Sequence, residues 1–179
     1  MMKKVLIISA SSRKQGNSDI LCDYFAKGAR ESGHQVEKVF LAEKNINFCS
    51  GCGVCNETHL CVQKDDMKEI LDSMVAADVI VLATPVYFYS MNGRMKNFID
   101  RTVPRYTEIT KKDFYFIMTA ADTDKENLAR TLEGFRGFTQ DCLEEAREAG
   151  IIYGTGAWQK GEIEESPACK EAYEMGRAL

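Results

Sequence analysis

Val5-Leu-Ile-Ile-Ser9-Ala-Ser11-Ser12-Arg13-Lys14-Gln15-Gly16-Asn17-Ser18 decides how the rest of the chain is read. Val5–Ser9 is a continuous apolar run ending in small polar residues, as in a strand buried on both faces. From Asn17 to Ser32 the spacing becomes helical. Ile20, Leu21, Tyr24, Phe25 and Gly28 fall on one side, and Gly33 follows as a stop. A buried strand that turns directly into a helix is the first half of a parallel α/β unit.

The pattern repeats outward from there. Gln35–Leu41 alternates as a second strand. Met67, Ile70, Leu71, Met74 and Val75 mark an amphipathic helix, with Asp65 or Asp66 as its cap. Asp78–Ala83 is the most apolar strand. After a loop at Thr84–Ser90 comes a helix with Met91, Met95, Phe98 and Ile99 on one face. Phe114–Thr119 is a fourth strand. Glu126–Glu148 reads as mostly helical, bent or broken at Gly134 and Gly137. Gly150–Gly154 is a fifth strand. Ser166-Pro167 opens a closing helix through Ala168, Ala172 and Met175. Strand and helix alternate five times, which predicts a parallel sheet covered by helices on both faces. No repeat, low-complexity tract or linker divides the 179 residues, so residues 1–179 form one domain.

Composition narrows the function. A net charge of −4 gives no basic face for nucleic acid. No apolar run reaches the length of a membrane span. Val5–Ile8 is too short for a signal-peptide core, so a cytoplasmic location is the default expectation. Seven cysteines, an odd number, argue against a disulfide scaffold.

In open parallel sheets, ligands bind beyond the carboxyl ends of the strands, where the strand order reverses. The loop Ser9–Ser18 lies there. The helix beginning near Asn17 offers free backbone N–H groups and the positive end of its dipole. Ser11, Ser12 and Ser18 add hydroxyls, and Arg13 adds a planar fork for a phosphate. The glycines of a Walker A loop or a G-x-G-x-x-G fingerprint are absent, which disfavours ATP and a dinucleotide mode together.

A second constellation is Cys49-Ser-Gly-Cys52-Gly-Val-Cys55-Asn-Glu-Thr-His-Leu-Cys61, spaced C-x2-C-x2-C-x5-C. Three readings compete for it. A [4Fe–4S] cluster uses four thiolates, and compact spacings suit it. Zinc takes four thiolates too, but structural zinc sites usually split into two separated pairs. The third reading is free thiols. His59 reads as a surface residue and Cys22 as core, while Cys142 and Cys169 have no metal spacing.

Three stretches together carry a family resemblance. Ser11-Ser-Arg13-x-x-Gly16-Asn17-Ser18 resembles the FMN-phosphate loop of flavodoxin-like NAD(P)H-dependent FMN reductases. Pro85-Val86-Tyr87-Phe88-Tyr89-Ser90-Met91-Asn92-Gly93, continuing to Phe98-Ile99-Asp100-Arg101, resembles that family's second signature. The cysteine run followed by Asp65-Asp66-Met67 is similar to the iron–sulfur flavoprotein branch. The resemblance implies a flavodoxin-like three-layer sandwich with five parallel strands in the order 2-1-3-4-5. It implies FMN held by Ser11, Arg13, Gly16, Asn17 and Ser18 at the phosphate. Pro85, Val86, Tyr87, Phe88, Tyr89 and Ser90 would contact it mainly through the main chain, with Thr119 and Ala120 at the ring edge. It assigns Cys49, Cys52, Cys55 and Cys61 as ligands of a [4Fe–4S] cluster. Asn92, Gly93 and Lys96 read as helix surface or interface, and Trp158 as a cover for the site or a side chain that buries itself in a partner subunit.

The expected activity is an FMN-dependent NAD(P)H oxidoreductase, with the nicotinamide as co-substrate and a small molecule or a protein as electron acceptor. No side-chain triad or acid pair competes with the flavin for the chemistry. The alternative is a flavodoxin-like carrier that shuttles electrons between proteins without nicotinamide turnover. A homodimer or homotetramer is expected in either case.

Overall fold

The computed structural model describes all 179 residues. Six strands and six α-helices follow in chain order. They are β1 (Lys4–Ser9), α1 (Asn17–Glu31), β2 (Gln35–Phe40), α2 (Cys55–Thr58), α3 (Met67–Ala76) and β3 (Val79–Tyr87). Then come β4 (Ser90–Met91), α4 (Gly93–Asp100), β5 (Asp113–Thr119), α5 (Ala129–Cys142), β6 (Arg147–Gly154) and α6 (Ala168–Arg177). The five long strands are parallel and ordered β2-β1-β3-β5-β6, which is the expected 2-1-3-4-5.

Both faces of the sheet are buried, which is why its central strands read as unbroken apolar runs. Leu6, Ile8, Ile80, Leu82 and Phe116 point to one side, under α3, α4 and α5. Phe116 stacks on Phe135 there, ring centres 4.9 Å apart. Val5, Ile7, Val79, Val81 and Ile117 point to the other side, under α1 and α6. Those two helices meet backbone to backbone. A Cβ on Gly28 would lie 2.1 Å from the Tyr173 carbonyl, and one on Gly176 would lie 2.1 Å from the Phe25 carbonyl. Only glycine lets the pair pack this closely.

Two boundaries differ from expectation. The Thr84–Ser90 segment is not a loop. β3 runs on to Tyr87, turns through Phe88 and Tyr89, and pairs antiparallel with β4 (Val86 with Met91, Tyr87 with Ser90). β1 leaves β3 after Ser9 opposite Ala83, so Pro85 sits where β3 is paired only on its β5 side. A proline is tolerated where one edge of a strand is free. The second difference is the stretch Glu126–Glu148. A 3-10 turn at Lys125–Leu128 precedes a continuous α5, which ends at Cys142, and Arg147 already starts β6. Gly134 does not break the helix. Its missing side chain makes room for Met91, whose Cε is 2.9 Å from where a Cβ would stand.

Asp66 stands at the cap position of α3 without capping it by its side chain, and Asp65, one residue earlier, accepts the Met67 N–H with Oδ1 at 3.2 Å. Asp66 instead accepts from the Asn45 N–H at 2.7 Å. No helix is long and apolar enough to cross a membrane.

Candidate flavin-binding site and cysteine loop

The phosphate loop folds on itself before it meets any ligand. The Ser11 hydroxyl donates to the Arg13 carbonyl at 2.8 Å and accepts from the Arg13 N–H at 3.3 Å. The Gly16 N–H closes the turn on the same carbonyl at 2.9 Å. A Cβ at Gly16 would stand 2.5 Å from the Ser11 Oγ and 2.9 Å from that carbonyl, so the turn has no room for a side chain. Behind it lies Asp19, buried in the first turn of α1. Asp19 accepts from the Gln15 N–H at 3.0 Å and the Ser9 hydroxyl at 2.9 Å, and pairs with Lys38 at 2.9 Å. Burial pulls the Lys38 ammonium down, but Asp23 and Asp19 together carry it above its ordinary value. Asp19 escaped the sequence reading because an acid in a helix's first turn looks like a generic dipole partner.

The other phosphate-loop residues divide in two. Asn17 spends its side chain on the far loop. Its Nδ2 donates to the Ala157 and Gln159 carbonyls at 3.1 and 2.9 Å, and its Oδ1 accepts from the Gly161 N–H at 3.0 Å. It therefore fixes the loop that carries Trp158. Arg13 is exposed, and its guanidinium reaches the Trp158 carbonyl at 3.3 Å. Ser18 is 1% exposed, yet its hydroxyl has no partner. A buried hydroxyl without a hydrogen bond is costly, by about 1–3 kcal/mol. A free hydroxyl at a helix N-terminus has the chemistry to donate to an anion.

Ser11, Ser12, Arg13, Asn17 and Ser18 line one cleft with Pro85, Val86 and Tyr87, of about 420 Å³. Thr119, Ala120, Ala121, Ala157 and Trp158 complete its walls. It opens at the carboxyl ends of β1, β3 and β5. A second cleft of about 430 Å³ lies at the opposite edge, between Lys4–Leu6, Gln35–Glu37 and the C-terminal end of α3. The negative end of a helix dipole faces that one, which disfavours a phosphate.

The hairpin contributes unequally. Tyr87 lines the cleft, whereas Phe88, Tyr89 and Ser90 do not. Tyr89 lies against the Arg130 guanidinium, 5.9 Å from its ring centre. Phe88 is fully exposed. Phe88 and Tyr89 have φ of +50° and +62°, the left-handed region at both positions of a two-residue turn. Such turns favour Asn and Gly, and aromatic residues there store strain.

Asn92 is not helix surface. It is buried, caps α4 by accepting the Met95 N–H at 3.0 Å, and donates from Nδ2 to the Ala10 carbonyl at 2.6 Å. One side chain thus ties the hairpin, α4 and the phosphate loop together.

Cys49, Cys52 and Cys61 sit on the loop around the short helix α2, which Cys55 opens; Cys49 and Cys52 are exposed, and Cys55 and Cys61 are half-buried. Cys49, Cys52, Cys55 and Cys61 line one small cavity, with Arg101 and Pro104 beside them. No three His, Cys, Asp or Glu side chains converge as metal ligands, so the thiols share a cavity without forming a closed ligand set. The backbone N–H of Val54 and the Ser50 hydroxyl hold the Cys52 thiol below its ordinary value. Cys22 is core, as expected, and burial pushes its thiol up.

Arg101 lies behind the cysteines. It is 2% exposed and grips Asp65 with both outer nitrogens, at 2.7 and 3.0 Å. Burial pushes the Asp65 carboxyl up. The Arg101 guanidinium and the N–H groups of Asn47 and Met67 outweigh that and hold it below the carboxylate range.

The comparisons with known proteins agree with this geometry. A profile of the family described as NADPH-dependent FMN reductase matches residues 3–132. The chain belongs to that family. The matched span holds the phosphate loop, the cysteine segment, the hairpin and the Thr119–Ala120 edge. An iron–sulfur flavoprotein of Archaeoglobus fulgidus is 41% identical over 112 residues, covering 63% of this chain and 51% of its own length. Another, from Methanocaldococcus jannaschii, is 40% identical over 101 residues, covering 56% of this chain and 52% of its own. The chain spans about half the length of these curated relatives.

Among solved structures, an NAD(P)H:quinone oxidoreductase from Methanothermobacter marburgensis superposes with a TM-score of 0.76. It is 16% identical and covers 100% of this chain and 98% of its own. An FMN-dependent NADH-azoreductase from Bacillus anthracis, solved with FMN, gives a TM-score of 0.73 at 17% identity, covering 99% of both chains. At these identities the two structures establish the fold, which is the flavodoxin-like sandwich of this family.

Proposed function

We propose that the chain is an FMN-dependent NAD(P)H oxidoreductase, passing reducing equivalents from a nicotinamide to an acceptor. One observation carries the reading. The Ser18 hydroxyl is buried without a partner at the N-terminus of α1, on the wall of a cleft at the carboxyl edge of the sheet. That cleft fits a flavin with one terminal phosphate, and the family membership points the same way. FMN, when bound, supplies the hydride-accepting ring.

The protein's own residues bind, orient and exclude water. Ser11 and Gly16 hold the turn so that the N–H groups leading into Asn17 and Ser18 face the phosphate. Ser18 donates its free hydroxyl, and Arg13 offsets the charge. Pro85, held by the β3–β5 pairing, and Val86 and Tyr87, held by the β3–β4 hairpin, would offer backbone polar groups to the ring's polar edge. Thr119 and the small Ala120 leave room for close approach. Phe88, Tyr89 and Ser90 support the reading differently. They form the hairpin tip, and its exposed aromatic residues suit a homodimer or homotetramer in which a second copy covers the cleft. Arg13 and Tyr87 are the titratable side chains lining the cleft, so residues here position rather than shuttle protons.

The cysteine loop belongs to the same proposal. Four thiols gathered round one cavity are the donor set of a [4Fe–4S] cluster, held by Cys49, Cys52, Cys55 and Cys61. The names of the relatives support this ligand over zinc. Those four thiolates would hold a cluster that supplies one-electron transfer toward a small-molecule or protein acceptor.

The test is steady-state oxidation of NADH and NADPH by protein loaded with FMN, with and without a quinone. Turnover that depends on FMN supports the oxidoreductase. Tight FMN binding with no oxidation of either nicotinamide would establish the carrier reading in its place.

A further inference from the structure

Arg101 is among the largest fully buried side chains in the molecule, and nothing in flavin binding explains it. It ends α4, where its N–H bonds the Asn97 and Phe98 carbonyls. Its guanidinium bonds both sides of the cysteine-loop neck. Nη1 donates to the Asn47 carbonyl at 2.6 Å and to Asp65 Oδ2 at 2.7 Å. Nη2 donates to Asp65 Oδ1 at 3.0 Å and to the Cys61 Sγ at 3.5 Å. Nε is buried with no partner. One turn earlier on α4, Asn97 donates to the Ile46 carbonyl at 3.1 Å. The loop's entry and its exit are therefore both clamped to a single helix end.

The other end of that helix belongs to the flavin cleft. Asn92 caps it and holds the Ala10 carbonyl at the base of the phosphate loop. Eight helical residues span about 12 Å, so α4 is a short rigid strut between the two sites.

We infer that Arg101 is the positioning residue of the cysteine site. It fixes the loop on α4 before any metal arrives and donates a hydrogen bond to the sulfur of Cys61. This rests on the cluster reading above only for its second half, since the clamp exists in the metal-free protein. The planar fork is what the role requires. A lysine ammonium keeps the charge but cannot serve Asn47, both Asp65 oxygens and Cys61 together. The bond to sulfur matters for the potential as well. Reduction adds one electron to the cluster and its thiolates, and a donor on a thiolate sulfur stabilises that more negative state.

The experiment uses the full chain as wild type, Arg101→Lys, and the charge-neutral double variant Arg101→Gln/Asp65→Asn. Hydrogen exchange of the metal-free proteins comes first, with FMN affinity as the fold control. Residues 45–66 should exchange at least about tenfold faster in both variants, as expected for lost charge-assisted bonds. β1 and α1 should be unchanged and FMN affinity should stay within about twofold. Anaerobic reconstitution with ferrous iron and sulfide comes second. Both variants should hold less than half of the wild-type iron, and the iron that Arg101→Lys does hold should titrate at a lower midpoint potential. Exchange, iron and potential all matching wild type would overturn the inference. Protection lost evenly over the chain would overturn it too, because Arg101 would then be a general core brace. If wild type itself takes up no iron, the cluster reading fails, and the exchange result still decides whether Arg101 is the clamp.

Discussion

Ser18→Ala should move apoprotein stability and FMN affinity in opposite directions. In the apoprotein the hydroxyl is buried and unpartnered, so removing it removes a desolvation penalty of about 1–3 kcal/mol. For a chain of this length each kcal/mol raises Tm by about 2–4 °C. With FMN present the same hydroxyl donates to a phosphate oxygen. A hydrogen bond to a charged group contributes about 1.5–3 kcal/mol, so Kd should rise about 10- to 150-fold. Linkage then reverses the order of stabilities. At an FMN concentration well above the wild-type Kd, the wild type gains more from ligand than the variant does. The assay is a thermal melt of both apoproteins, paired with a flavin-fluorescence titration. A variant whose Kd stays within twofold of wild type, or whose apoprotein melts lower, would refute the assignment of Ser18 to the phosphate.

Three further outcomes are expected. Trp158, the chain's one tryptophan, lines the cleft, so its fluorescence should be quenched as FMN saturates the protein; emission that stays constant would place the flavin elsewhere. Gly28→Ala should destabilise by about 1–3 kcal/mol, because the new methyl group meets the Tyr173 backbone and α1 and α6 must separate. A urea midpoint equal to wild type would contradict that packing. Arg136 bonds both oxygens of Glu148, at 2.7 and 2.9 Å, and holds that carboxyl below its ordinary value. A depressed carboxylate contributes stability above its unfolded pKa of about 4.3 and loses it as pH falls through the folded value. Glu148→Gln should therefore cost about 0.5–1 kcal/mol at neutral pH and little at acid pH, and an equal loss at both would refute the ion-pair origin.

The order of elements was legible because β1 and β3 are buried on both faces and α3 on one. Their apolar spacing has a single reading. Two places were not legible, and each had a tertiary cause. Pro85 looks like the end of a strand, but β3 continues because β1 departs at Ser9 and leaves that edge free. Glu144 to Glu148 are good helix formers, yet Arg147 and Glu148 lie in the edge strand β6, held there by Asp113 and Arg136. Propensity loses to such long-range pairing.

The phosphate loop's place was legible from its hydroxyls and its position after the first strand. The division of labour inside it was not. Asn17 has the residue type of a ligand donor, but it bonds the 157–161 loop, 140 or more residues away in sequence. Asn92 and Arg101 were hidden for the same reason. A polar residue at a helix end reads as solvent-facing until the topology shows what it abuts. The cysteine spacing announced a shared cavity, whereas the clamp that holds its neck lies forty residues from Cys61.

The most direct measurement is anaerobic rapid mixing of FMN-loaded protein with NADH or NADPH, followed by the visible flavin absorbance. If the cleft at the N-terminus of α1 holds FMN for nicotinamide oxidation, at least one of the two bleaches the flavin fully, with a rate that saturates as nicotinamide is raised. Ser18→Ala, once loaded, should bleach as fast while needing more FMN to load. A flavin that stays oxidised with both nicotinamides, in protein shown to carry FMN in this cleft, would contradict the proposed activity.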